Sequence, residues 1–198
     1  MKMLFISESD FLEFKDELRR RLSERQVREC ENDGHKPSAV KILIMNKNNA
    51  PHVLLTRRTD KVNTHKGQVS FPGGGFDETD GDILGTAYRE TFEEVGIQRG
   101  DIEYLGKFDD YISLYGFHIS CFVGAIEYPR EYHLNSDEID ACFEAPLSMF
   151  VNEEYESVEK YYYQGRDYDV FYYNHDNFVI WGLTARILTD FARKVLKD

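Results

Sequence analysis

The sequence predicts an α/β (α+β) fold, a mixed β-sheet flanked by helices. Short apolar runs bounded by turn residues alternate with longer stretches whose apolar residues recur at helical spacing. The alternation lacks the regular strand–helix–strand rhythm of a doubly wound parallel sheet. A third observation sets the scale: 198 residues, 41% of them hydrophobic, suffice for one sizeable core with a short elaboration.

Residues 7–29 predict an amphipathic helix capped by Ser7 or Ser9. Phe11, Phe14, Leu18 and Leu22 follow the helical period. The opposite face carries Arg19, Arg20, Arg21, Arg25 and Arg28, which can pair with Glu13, Asp16, Glu17 and Glu24. Residues 31–37 form a linker rich in turn residues. Residues 40–45 and 52–56 read as the strands of a hairpin around 46–49. Polar residues then lead from Thr59 to a glycine-rich turn at 73–75. Asp82 and Ile83 open a helix that Gly96 closes from the C′ position. Strands are expected at 102–108, broken by Asp109 and Asp110, at 119–126, ended by Pro129, and at 138–143. Residues 146–151 read as a short helix. Residues 161–163 and 170–173 suggest a second hairpin, whose tyrosines either stack on a ligand or pack the hairpin itself. Residues 178–196 read as a C-terminal helix with Ile180, Leu183, Ile187, Leu188, Phe191 and Val195 on its apolar face.

The chemistry concentrates in residues 71–97. Glu90, Glu93 and Glu94 stand at i, i+3 and i+4 and share a helix face. Three carboxylates that close repel one another and call for counterions or a bound divalent cation. The glycines upstream let the backbone approach a ligand closely. Backbone groups from the turn and hard oxygen ligands from the helix suit a metal-bound polyphosphate. The plainer alternative is a solvated helix face with Arg89 paired to Glu93 across one turn.

The run Arg89-Glu90-Thr91-Phe92-Glu93-Glu94-Val95-Gly96-Ile97 resembles the second half of the Nudix hydrolase signature, with Thr91 at an apolar place. In the first half, Asp80 stands where the signature has Glu, and one extra residue precedes Arg89. The resemblance implies an α/β/α sandwich. It also implies hydrolysis, with Mg²⁺ or Mn²⁺, of a nucleoside diphosphate linked to another moiety, X. It assigns Glu90 and Glu94 to the metal, helped by the Gly73 carbonyl. Glu93 would bind a further metal or deprotonate the attacking water, and Arg89 would hold the glutamates in place. Glu138 falls where some Nudix enzymes carry a loop carboxylate that serves as base or extra ligand; an exposed acid is its alternative.

Residues 54–74 are similar to the motif of the coenzyme A pyrophosphatase branch of that family. Leu54, Leu55, Thr56, Arg58, Gly67 and residues 71–74 stand in register. Thr59 replaces a serine and keeps the hydroxyl; Asn63 replaces an arginine and loses a cation. The run Ile180-Trp181-Gly182-Leu183-Thr184-Ala185 also looks like that branch. The resemblance implies coenzyme A or its derivatives as substrate, cleaved to 3′,5′-ADP and 4′-phosphopantetheine. Its substrate contacts would be Arg58, Thr59, Lys61, Asn63, Lys66 and Phe71. Arg58, Lys61 and Lys66 can neutralise phosphate, arginine through a bidentate fork. Arg57 and Arg58 can instead pair with surface acids, and His65 can be a plain loop residue. Asn63 keeps ADP-ribose, NAD(H) and dinucleoside polyphosphates open as substrates. A non-catalytic nucleotide-binding module of the same fold is the alternative from another class.

The net charge of −12 argues against nucleic acid or an anionic membrane as partner, because both need clustered Lys and Arg. A small-molecule nucleotide remains compatible, since a cation neutralises the site locally. Cys30, Cys121 and Cys142 lack metal-like spacing and are expected to be reduced. With no signal-peptide pattern or membrane-length apolar run, a cytoplasmic monomer or homodimer is expected. Residues 1–37 are expected to form an N-terminal helical extension and 38–198 the hydrolase domain.

Overall fold

The computed structural model describes residues 1–31, 33–61, 66–163 and 165–197. The fold is α+β with a mixed sheet and an N-terminal helix. Helix α1 (Glu8–Glu24) buries Phe14, Leu18 and Leu22 and starts where the Asp10 carboxylate accepts the Ile6 and Ser7 amides. It stops five residues short of the expected end. Arg25 and Arg28 leave the helix because Asp109 and Asp110, both buried, claim them. The Asp109 carboxylate accepts Arg25 Nη2 at 2.5 Å and the Arg28 amide at 3.0 Å, and the Asp110 carbonyl accepts Arg28 Nη2 at 3.1 Å. Arg20 and Arg21 pair with Glu17 within the helix, as expected.

Strand β1 (Lys36–Lys47) begins inside the expected linker, because its first residues pair in parallel with β7 (Phe117–Ala125). Strand β2 (Ala50–Arg58) returns antiparallel through Asn48 and Asn49, both at positive φ (52° and 60°), the conformation that a type I′ hairpin turn requires. Strands β3 (Val69–Ser70), β4 (Gly73–Gly75), β5 (Glu103–Lys107), β6 (Tyr111–Ile112) and β8 (Ile139–Pro146) complete the main sheet. Its order is β3-β2-β1-β7-β5, with β4 on β1, β6 on β7 and β8 on β2. Helix α2 (Ile83–Val95) covers one face and packs on Ala39, Leu43 and Met45. The other face presents Ile42 and Ile44 to α1, to a short helix α3 (Leu147–Val151) and to α4 (Gly182–Phe191). Helices therefore lie on both faces.

A second sheet, β9 (Ser157–Tyr163), β10 (Arg166–His175) and β11 (Phe178–Trp181), contains the expected hairpin. The expected C-terminal helix is corrected at its start. Phe178–Trp181 pair with β10, Ile180 is buried while Val179 and Trp181 are exposed, and Gly182 at φ 64° turns the chain into α4. Alternation over four residues is too short to separate from a helical pattern by sequence alone. Lys41 is buried under α2, its ammonium 3.5 Å from the centre of the Tyr88 ring and without a hydrogen-bond partner. Burial, reinforced by Arg99, pulls its pKa down to about 7.

Candidate active site

The glycine run is a strand, not a loop. Gly73, Gly74 and Gly75 pair antiparallel with Val40, Ala39 and Ser38. This pairing brings the backbone against α2, and a Cβ on Gly74 would collide with the Glu90 carboxylate. The Gly73 amide donates to Glu94 Oε2 at 3.3 Å.

Helix α2 is capped by Asp82, whose carboxylate accepts the Gly85 amide at 2.6 Å, and ends at Gly96 in the left-handed conformation. Its buried face is Ala87, Tyr88, Thr91 and Val95. Thr91 is tolerated there because its hydroxyl donates to the Ala87 carbonyl at 2.6 Å. The same helix places three glutamates at three depths. Glu94 is 1% exposed, Glu90 is half-buried and Glu93 is exposed. Burial raises the Glu90 carboxyl and pushes Glu94 up to about 8, against the pull of Arg58 and the Gly73 amide.

Arg89 organises this face. Its Nε and Nη2 donate to Asp80 at 2.6 and 3.2 Å, Nη1 reaches Glu93 at 2.8 Å and Glu90 at 2.9 Å, and Nη2 also donates to the Gly75 carbonyl at 2.9 Å. Asp80 further accepts the Thr86 hydroxyl and the Asp77 amide. The Arg89 guanidinium holds the Asp80 carboxyl down to about 2, even though burial opposes this. The residue in the signature's glutamate place thus anchors the arginine.

The loop bearing Glu138 hangs from the end of α2. The His133 amide donates to the Val95 carbonyl, and the Asn135 amide to the Glu94 carbonyl, both at 3.1 Å. The Glu138 amide donates to Asn135, and the Glu138 carbonyl accepts the Thr59 amide at 2.8 Å. Glu138 is half-buried, and its charge adds to the upward push on Glu90 and Glu94. These loop contacts are backbone contacts, so no side-chain pattern announces them.

The two neighbouring arginines part company. Arg57 forms a bidentate pair with Asp140 at 2.8 and 2.9 Å. Arg58 turns inward, 3.5 Å from Glu94, with its Nε buried and unpartnered. Of the other sequence candidates, Thr59 is buried, Lys61 and Lys66 are exposed, and Phe71 is a core residue. Asn63 and His65 lie outside the described residues. His118 Nε2 lies 3.0 Å from an Asp110 carboxylate oxygen.

Among the described residues, no three acidic, histidine or cysteine side chains are already grouped to hold a metal ion. Arg89 and Arg58 engage the glutamates instead. The donor set itself suits a hard divalent cation: carboxylates on one helix face, one nearly fully buried, beside backbone that only glycine permits.

Residues 35–164 match the NUDIX domain family. The chain belongs to the Nudix hydrolase superfamily. It is 33% identical over 161 residues to an uncharacterized Nudix hydrolase, NudL, of Escherichia fergusonii, covering 81% of this chain and 83% of the relative. It is 36% identical over 150 residues to the uncharacterized NudL of Photorhabdus laumondii, covering 73% and 78%. Among solved structures, the fold matches a Caenorhabditis elegans Ap4A hydrolase binary complex (TM-score 0.50, 16% identity, 58% of this chain and 83% of that one). It also matches a MutT/Nudix family protein from Enterococcus faecalis (TM-score 0.50, 16% identity, 96% and 70%). At such identities the likeness is one of fold alone. Nudix enzymes typically use a divalent metal. No helix among the described residues is long and apolar enough to cross a membrane.

Proposed function

We propose that this Nudix hydrolase cleaves the pyrophosphate bond of a nucleoside diphosphate linked to X, with coenzyme A or its derivatives as substrate and Mg²⁺ or Mn²⁺ as cofactor. The observation that carries this reading is the convergence of Glu90, Glu94 and Glu138 with Gly73 and Arg58 at the end of one glycine strand. Glu90, Glu94 and the Gly73 carbonyl would hold the cation, which supplies charge neutralisation at the pyrophosphate. Arg58, once released from Glu94, offers its guanidinium to a phosphate oxygen. Arg89, fixed by Asp80, keeps Glu90 and Glu93 aimed along one face. Glu93 or Glu138 takes a proton from water as the water oxygen attacks phosphorus and the bridging P–O bond breaks. For coenzyme A the products are 3′,5′-ADP and 4′-phosphopantetheine. Residues 38–198 carry this chemistry, with 1–37 as an extension packed on it, in a cytoplasmic monomer or homodimer.

Incubation with Mn²⁺ and, separately, coenzyme A, ADP-ribose and NADH tests the reading. Release of 3′,5′-ADP from coenzyme A, far faster than cleavage of the others, is expected. Preference for ADP-ribose or NADH would reject coenzyme A and keep the reaction class. Absence of hydrolysis of any of them would reject both.

A further inference from the structure

A cleft of about 410 Å³ opens beside the glycine strand, on the sheet face away from α2. Val40, Phe71, Ile119 and Ile187 are among its walls, and none of the α2 glutamates is. Its rim carries large apolar side chains left in solvent: Leu114 is 54% exposed, Tyr115 66% and Trp181 40%. Exposed apolar groups gathered on a concave surface mark a binding site.

The rim is built rigidly. Leu114 and Tyr115 ride a tight turn between β6 and β7, closed by the Ser113 amide on the Phe117 carbonyl at 2.9 Å and the Phe117 amide on Ser113 Oγ at 3.1 Å. The Trp181 indole stacks on Tyr172, 6.0 Å between centres and 4° between planes. The Thr184 hydroxyl donates to the Val69 carbonyl at 3.0 Å and fixes the start of α4 against β3.

The polarity of the walls restricts what fits. Among the described lining residues Arg58 is the one cation, and it sits at the glycine end with its Nε unpartnered. Thr184, Ser70 and Ser113 already bond within the protein. A second phosphate would need a cation that the far end lacks. An uncharged arm avoids that obstacle: its methylenes and methyls suit Val40, Phe71, Ile119 and Ile187, and its amide and hydroxyl groups can face Ser38, Gln68 and Tyr115.

We infer that this cleft binds the uncharged, mainly aliphatic arm X of the substrate, with Trp181 and Leu114 as specificity-determining walls and the charged nucleotide half outside it. The inference rests on the reading of the substrate as a nucleoside diphosphate linked to X. It gives the Trp181–Thr184 run a definite place in substrate choice.

Trp181 is the chain's single tryptophan, so intrinsic fluorescence reports on this cleft directly. The full-length protein is titrated separately with 4′-phosphopantetheine and with 3′,5′-ADP, each to about 10 mM, the range in which fragments bind. A saturable change in Trp181 emission is expected with 4′-phosphopantetheine, and at least tenfold weaker binding with 3′,5′-ADP. Leu114→Asp, at an exposed position, is expected to weaken the first titration tenfold or more while leaving the thermal midpoint in place. A response to 3′,5′-ADP instead, a response to neither, or an indifferent Leu114→Asp would overturn the assignment. The titration needs no turnover. An inactive protein that still responds to 4′-phosphopantetheine therefore counts against the proposed reaction and not against the cleft.

Discussion

Glu94→Gln should stabilise the metal-free protein while abolishing its proposed activity. The Glu94 carboxyl is 1% exposed, and burial raises it from an ordinary 4.5 to about 8. The sign follows from linkage. The unfolded chain releases the Glu94 proton above pH 4.5, whereas the folded chain holds it until about pH 8, so the folded state loses stability as pH rises between those values. At about 1.4 kcal/mol per pH unit the ceiling at pH 8 is about 5 kcal/mol. The amide keeps an acceptor for the Gly73 N–H but leaves Arg58 without its carboxylate, an offset of about 1 kcal/mol for a partly exposed ion pair. A net gain of about 4 kcal/mol corresponds to roughly 8–16 °C for a domain of this size. Thermal unfolding in chelator should show this gain at pH 8 and less than about 1 kcal/mol of it at pH 5. Added Mg²⁺ should raise the wild-type midpoint and leave the variant's unmoved. A variant less stable than wild type at pH 8, or a difference independent of pH, would refute the account of a buried charge awaiting a cation.

Three further outcomes follow from the same geometry. Asp80→Asn removes the charge that holds Arg89 and should cost about 1.5–3 kcal/mol, read by urea unfolding; it should also raise the Mn²⁺ concentration needed for half-maximal activity, since Arg89 then leans on Glu90 and Glu93. Lys41→Met replaces a buried ammonium lacking a hydrogen-bond partner and should stabilise by about 2 kcal/mol or more; because the lysine's pKa is lowered to about 7, the gain should be full below pH 7 and fade towards pH 10.5, in calorimetry across that range. Asp109 is pulled down to about 2: burial works against this, and the hydrogen bonds from Lys194, the Arg28 amide and Arg25 outweigh it. Its contribution of about 2 kcal/mol is present above pH 4 and lost as pH falls through about 2, so Asp109→Asn should flatten that part of an acid-unfolding curve.

Much of the fold was legible because local signals agreed with the tertiary outcome. Asp82 and Gly96 bound α2 as their capping chemistry demands, and the Asn48–Asn49 turn closes the β1–β2 hairpin. The glutamate spacing on α2, taken together with the glycine run before it and Gly96 after it, marks the candidate site. Other features depend on partners remote in sequence. The glycine run reads as a turn until its pairing with β1 makes it a strand. Asp109 and Asp110 read as strand breakers, yet they are buried anchors for Arg25 and Arg28, more than eighty residues upstream. Arg57 and Arg58 look equivalent, and only the strand's alternation sends one to Asp140 and the other to Glu94. The sequence by itself determined the family, the helix that carries the acids and the hard-oxygen chemistry they offer, because those reside in short spacings. The tertiary structure alone decided which glutamate is buried, what holds Arg89, and that Leu114 and Trp181, nearly seventy residues apart, share one cleft. Burial and long-range contact depend on how the sheet folds over itself, which no local spacing encodes.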